Sequence, residues 1–185
     1  QGGTETWDDS DTANWSEGAV PAAGDTVYLT QETAGDITIT YDSDHFKDGS
    51  AVEFLTLGNA GTGTTRLDIG PGDVLSTSND LTIQDGGLWY QTGGSVTNLE
   101  GLSDSWNRKL IMTDGARFVL AGGTFRAAGH MEVAFGAGDS ASLIISNGWF
   151  GNEGYDLRCS SGNTTFRMDG GTCSVARYAS VGTTS

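Results

Sequence analysis

The sequence predicts an all-β fold, a right-handed parallel β-helix (solenoid) with an N-terminal capping segment, and three observations carry that prediction. The chain has 185 residues, of which 29 are glycine and only 2 are proline. Alternating apolar segments ending in glycine recur along it at intervals of 22 to 29 residues. No segment carries an apolar repeat at helical spacing long enough to make a helix.

Composition comes first. Thr, Ser, Asn and Asp fill most polar positions, so the chain is dense in turn formers and poor in helix formers, which suits many short strands. Its length supports one sizeable core and not two comfortable domains. We therefore expect one continuous domain, with residues 1–30 as cap segment and first strand and residues 31–185 as the coils.

The repeat is next. RLDIGPGDV, LWYQTGGSV, RFVLAGGTF, SLIISNGWF and TFRMDGGTC share a marker glycine at Gly72, Gly94, Gly123, Gly148 and Gly171, spaced 22, 29, 25 and 23 residues apart. Five residues before it stand Leu67, Trp89, Phe118, Leu143 and Phe166. Three before it stand Ile69, Gln91, Leu120, Ile145 and Met168, and two after it Val74, Val96, Phe125, Phe150 and Cys173. Fourteen of these fifteen positions are apolar in a chain that is 36% hydrophobic. A spacing of two puts them on one face of a strand, so each coil is expected to turn this row inward.

A second family, FLTLG, LTIQDG, LIMTDG, MEVAFG and LRCSSG, ends at Gly58, Gly86, Gly115, Gly136 and Gly162. Its inward candidates are Leu55, Ile83, Met112, Val133 and Cys159. A variable stretch such as NLEGLSDSWNRK would close the coil. Such a unit cannot bury its apolar face alone and must stack on copies of itself. The parallel strands would lie about 4.8 Å apart, and the crossovers would be right-handed. A β-sandwich is the competing architecture, but recurrence of one residue class at one offset in five units favours five to seven stacked coils. Glycine at the corners supplies the positive φ that a Cβ makes costly.

The N-terminal segment WDDSDTANWSEGAVPAAGDTVYLTQ places Trp7, Asn14, Trp15, Pro21, Gly24, Asp25 and Val27 in a pattern of its own. It resembles the W…NW…G..P..GD.V opening of bacterial surface β-helix proteins, those with autotransporter-associated strand repeats and related exported proteins with sorting tails. The match spans about 25 residues, and the glycine-rich coils extend it loosely. The resemblance implies a β-helix at a cell surface and names no substrate. Physically the segment reads as a cap, because an open solenoid end exposes an apolar cross-section and unpaired strand edges. Trp7 and Trp15 are expected over, or within, the first coil.

Charge narrows the function. The formal net charge is −15, which repels phosphate backbones and argues against a nucleic-acid partner. Lysine occurs only at Lys47 and Lys109, so no polybasic patch addresses an anionic membrane, and no apolar run suits membrane insertion. The chain begins at Gln1, which is read as removal of an export signal or excision from a longer chain. A secreted, extracellular, cell-surface location is the expectation.

The chemistry-bearing residues form no convincing catalytic set. His45 and His130 lack zinc spacing and any nucleophile motif. Asp42, Asp44 and Asp48 miss the EF-hand pattern and read as a solvated acidic loop. Asp85 and Asp114 occupy one offset in adjacent coils, which is a carboxylate pair in a glycosidase reading and a pair of turn aspartates in the simpler one. No enzymatic activity, cofactor or metal is expected. Cys159 and Cys173 both fall at inward offsets and are disulfide candidates.

Outward offsets give the functional expectation. Tyr90, Val119 and Ile144 stand four residues before the marker glycine in three successive coils, with Trp149 just after Gly148. Stacked, they would form an apolar stripe on the outer wall. The chain is therefore expected to be a structural surface module that associates with copies of itself, laterally through the stripe and end to end through an uncovered last coil, as a filament or layer. The alternatives are a glycan-binding adhesin and a carbohydrate-active β-helix enzyme.

Overall fold

The computed structural model describes residues 3–8, 15–32, 34–42, 46, 48–98, 110–134, 136, 138–152, 155–159 and 163–181. The chain opens with β1 (Gly3–Asp8), β2 (Thr26–Gln31), β3 (Ile37–Asp42) and β4 (Phe54–Asn59). Five three-strand turns follow. They are β5 (Thr65–Ile69), β6 (Val74–Thr77) and β7 (Leu81–Ile83); β8 (Gly87–Gln91), β9 (Ser95–Asn98) and β10 (Leu110–Met112); β11 (Ala116–Leu120), β12 (Thr124–Ala127) and β13 (Met131–Val133). The last two turns are β14 (Ser140–Ile145), β15 (Trp149–Asn152) and β16 (Leu157–Cys159), then β17 (Asn163–Met168), β18 (Thr172–Ser174) and β19 (Ala179–Val181).

Every strand pairs in parallel with its counterpart one turn away, which makes the molecule a parallel β-solenoid of three sheets. Sheet A runs β1-β3-β5-β8-β11-β14-β17, sheet B runs β2-β4-β7-β10-β13-β16-β19, and sheet C runs β6-β9-β12-β15-β18. No helix occurs among the described residues. Among the described residues sheet C begins at the third turn, and before it the same side carries a bridge from Val52 to Thr77.

The repeat offsets become register. Leu67 pairs with Trp89, Trp89 with Phe118, Phe118 with Leu143 and Leu143 with Phe166. Leu67, Trp89, Phe118 and Leu143 are fully buried, as are Leu55, Ile83, Met112 and Val133. On sheet C, Phe125 stacks on Phe150 with ring centres 5.3 Å apart, and on sheet A Trp89 stacks on Phe118 at 5.7 Å. The two ladders meet edge to face, Phe118 against Phe125 at 4.9 Å, the geometry that ring quadrupoles favour.

Gln91, the one polar residue of the inward row, is also fully buried. Its Nε2 donates to Gly93 O at 2.9 Å and Thr124 O at 3.0 Å, so the buried amide's donors are both used on the backbone. The corner itself requires glycine. At Gly123 φ is +78°, and a Cβ there would lie 2.2 Å from Gly93 O one coil below.

One inward assignment, one alignment and one expectation of full burial need correction. Val74 is only half-buried, and Leu75 takes the inward place by pairing with Val96. Gly70-Pro71-Gly72-Asp73-Val74 carries one residue more than Thr92-Gly93-Gly94-Ser95 between the two inward positions, which shifts parity. In the second family Leu55 pairs with Leu81, and Leu57 is the residue opposite Ile83. Finally, Phe166 and Cys173 are half-buried and Met168 is 45% exposed, because among the described residues no coil packs beyond β17 and β18.

At the other end, Trp7 belongs to β1 and is fully buried. It packs edge-on against Tyr41 at 5.1 Å, Trp15 at 5.3 Å and Phe46 at 6.3 Å. Trp7 is thus a core residue of the first turn, and Trp15 is the capping ring laid over it. β1 and β2 are in-register members of sheets A and B, so the described cap is confined to the loop at 15–25. Asn14 lies outside the described residues.

Candidate functional site

The outward row on sheet A forms in register: Asp68 opposite Tyr90, Tyr90 opposite Val119, Val119 opposite Ile144 and Ile144 opposite Arg167. Tyr90, Val119 and Ile144 are half-buried. The band is therefore three residues long and closed at both ends by charge. Beside it runs a second outward row of Arg66, Leu88, Arg117 and Ser142. Arg66 places its guanidinium 4.2 Å from the Tyr90 ring centre while bonding Asp68 through Nε and Nη2. An apolar centre with an arginine-rich rim is the common anatomy of a protein interface.

Trp149 does not extend this band. It lies in β15 on sheet C, opposite Thr124 and Thr172, so the turn at 146–148 carries it around a corner. Its ring lies along its own strand: a Cβ added to Gly151 would meet Trp149 ring carbons at 3.0 Å. Parity along the chain placed Trp149 outward correctly, but could not say which sheet it faces from.

Cys159 in β16 and Cys173 in β18 are free thiols in this structure. Burial, and then the neighbouring Cys173, push the Cys159 thiol up to about 11. Cys173 is raised by burial as well. Both face the core, from sheets B and C.

The aspartates act on the backbone. Asp114 accepts hydrogen bonds from Ser140 N at 3.0 Å and Ser140 Oγ at 2.9 Å, which lower its carboxyl below the ordinary range. Asp85 lies against Gly115 in the next coil, where an added Cβ would meet its Oδ1 at 2.4 Å. Both fit turn chemistry. Asp48 Oδ1 accepts from Ser50 N at 2.9 Å, while Asp44 and His45 lie outside the described residues. No three His, Cys, Asp or Glu side chains among the described residues are grouped to hold a metal ion.

One cluster was not legible beforehand. His130 and Asp156 stand just before Met131 and Leu157, which pair across β13 and β16, so stacking brings two residues 26 positions apart together. His130 Nδ1 lies 3.8 Å from Asp156 Oδ2, which also accepts from Arg158 Nη2 at 2.8 Å. Tyr155 packs its ring on the imidazole at 4.9 Å, and Arg158 stands opposite the buried Glu132. The Arg158 hydrogen bond holds the Asp156 carboxyl below its ordinary range; desolvation opposes this, and the charges of Arg158, His130 and Arg177 assist. The arrangement fastens two successive corners. A search for residues three positions before the second inward row would have found the alignment.

The three sheets and these surfaces define a class, the parallel β-solenoids. No family model matches the chain, and neither does a curated protein sequence or a solved structure.

Proposed function

We propose that the protein is an extracellular structural module, a β-solenoid that assembles with copies of itself side by side through the Tyr90, Val119 and Ile144 band and performs no catalysis. The observation that carries this reading is the in-register stacking of three apolar side chains on the outer wall of a seven-stranded sheet. A monomer gains nothing from holding them there; two copies that face their bands remove them from water, and the arginine rim limits the contact to one orientation. The cell-surface location rests on the N-terminal resemblance and on the acidic surface, which keeps a module soluble until specific contacts form.

The test is sedimentation velocity on the 185-residue chain and on a Val119→Glu/Ile144→Glu double variant across a concentration series. The parent should show a larger species that grows with concentration, and the variant should remain monomeric with unchanged circular dichroism. A parent that stays monomeric, or a variant that assembles equally well, sinks the proposal.

A further inference from the structure

The first turns carry a feature that the assembly reading does not use. Two clefts, of about 430 and 380 Å³, open on either side of a wall shared by Trp15, Ser16 and Tyr28. Tyr28 points outward from β2 and is 67% exposed, among the most exposed large apolar side chains of the described chain. Trp15 is half-buried beside it. A large exposed ring next to a second aromatic, with a concave surface on both sides, is a platform and not a packing accident.

The polar groups around this platform share a chemistry. Glu17 and Asp25 border the outer cleft, and Glu5 and Gln31 the inner one. Among the described residues neither cleft is lined by a lysine or an arginine. The Trp7 and Trp15 rings line the inner cleft, but their Nε1 atoms are buried from it, so Trp15 contributes ring surface and not a donor.

We infer that these clefts form a binding site for a neutral oligosaccharide. A pyranose presents an apolar C–H face, which suits the Tyr28 and Trp15 rings, and a rim of hydroxyls. Those hydroxyls donate to the acceptor-only carboxylates and accept from the side-chain amide of Gln31, which lines the inner cleft. An acidic sugar is refused because its carboxylate would meet Glu5, Glu17 and Asp25, with no lysine or arginine among the described lining residues to pair it. Among the described residues these acids are not grouped as metal ligands. The site shares no residue with the Tyr90, Val119 and Ile144 band, so it stands whether or not the protein assembles through that band.

The experiment titrates the 185-residue chain with cellohexaose, mannohexaose and maltohexaose as neutral probes and with an oligogalacturonate as the acidic one, following indole N–H resonances and tryptophan fluorescence. At least one neutral probe should bind with a dissociation constant in the range of about 0.1 to 10 mM, shift the Trp15 Nε1 resonance, and lose at least about tenfold in affinity, roughly 1.4 kcal/mol, in Tyr28→Ala. Tyr28 is exposed, so that variant keeps its fold, and circular dichroism verifies it. A Glu17→Gln variant should weaken the same probe less while leaving the resonance shift in place. The proposal is overturned if no neutral probe binds, if the oligogalacturonate binds as well as the best neutral one, or if Tyr28→Ala binds unchanged.

Discussion

The first two turns and the five that follow close the same prism by different means. From β5 onward the third side is a strand, and each turn repeats its neighbour, with Phe125 under Phe150 and Gly123 under Gly148. Before β5 the third side shows, among the described residues, a bridge at Val52 and no strand, and the rings of Trp7, Tyr41 and Phe46 pack together in the core. Tyr41 ties the two regions together by donating its hydroxyl proton to Val74 O at 2.7 Å. Strand closure gives a smooth wall whose only functional resource is which side chains point outward. Closure by side chains gives an uneven wall, and the clefts around Trp15 and Tyr28 occur there.

The comparison breaks most severely in the regular region. Phe125→Ala should cost about 3 to 5 kcal/mol, the range for deleting a buried aromatic. Because each turn supports the next, protection from amide exchange should fall in the strands on both sides of β12. Trp7→Ala deletes an equally buried ring, yet its loss in exchange protection should be confined to β1 to β4, since the repeat interfaces beyond do not use it. Chemical denaturation with exchange read strand by strand measures both; equal spread from the two sites would erase the distinction.

Gly123→Ala comes next. A left-handed φ costs a residue with a Cβ about 1 to 2 kcal/mol, and contact with Gly93 O adds to it. Gly18→Ala, with positive φ but no atom within 4 Å of its Cβ, should lose only the backbone share. The difference between the two variants in thermal unfolding measures how tightly stacked corners approach each other, and equal losses would refute close approach as a cause.

The Asp156 corner provides a smaller, pH-dependent effect. Its carboxyl titrates below its ordinary value in the folded state, so its contribution is fully present above the unfolded value of about 3.9 and is lost as pH falls through the lower folded one. Arg158→Gln removes the first cause of that shift. The variant should be less stable at neutral pH and should converge on the parent toward pH 2, as followed by urea titrations; a constant gap at all pH values would assign the effect to packing.

The smallest difference is chemical. Cys159 is 1% exposed and Cys173 half-buried, so iodoacetamide at pH 8 should alkylate Cys173 first in the native protein and both only after unfolding. Mass analysis without reductant reads the order, and would at once reveal a disulfide between them.

What the sequence by itself determined was the repeat and its consequences. Alternation at period two, interrupted by glycine at nearly constant offset, leaves little choice but parallel stacking, and it placed Phe118, Leu120, Phe125 and Met112 in the core and Tyr90, Val119 and Ile144 on the wall. It could not fix parity where a corner gains a residue, which is why Leu75 and not Val74 turns inward. It also could not tell which wall Trp149 stands on. Tertiary structure alone decided the contacts between coils: His130 with Asp156, Trp15 over Trp7, and the clefts flanking Tyr28. The reason is physical, since the chain specifies each strand's two faces locally, while neighbours one coil apart are set by turn lengths that vary from coil to coil.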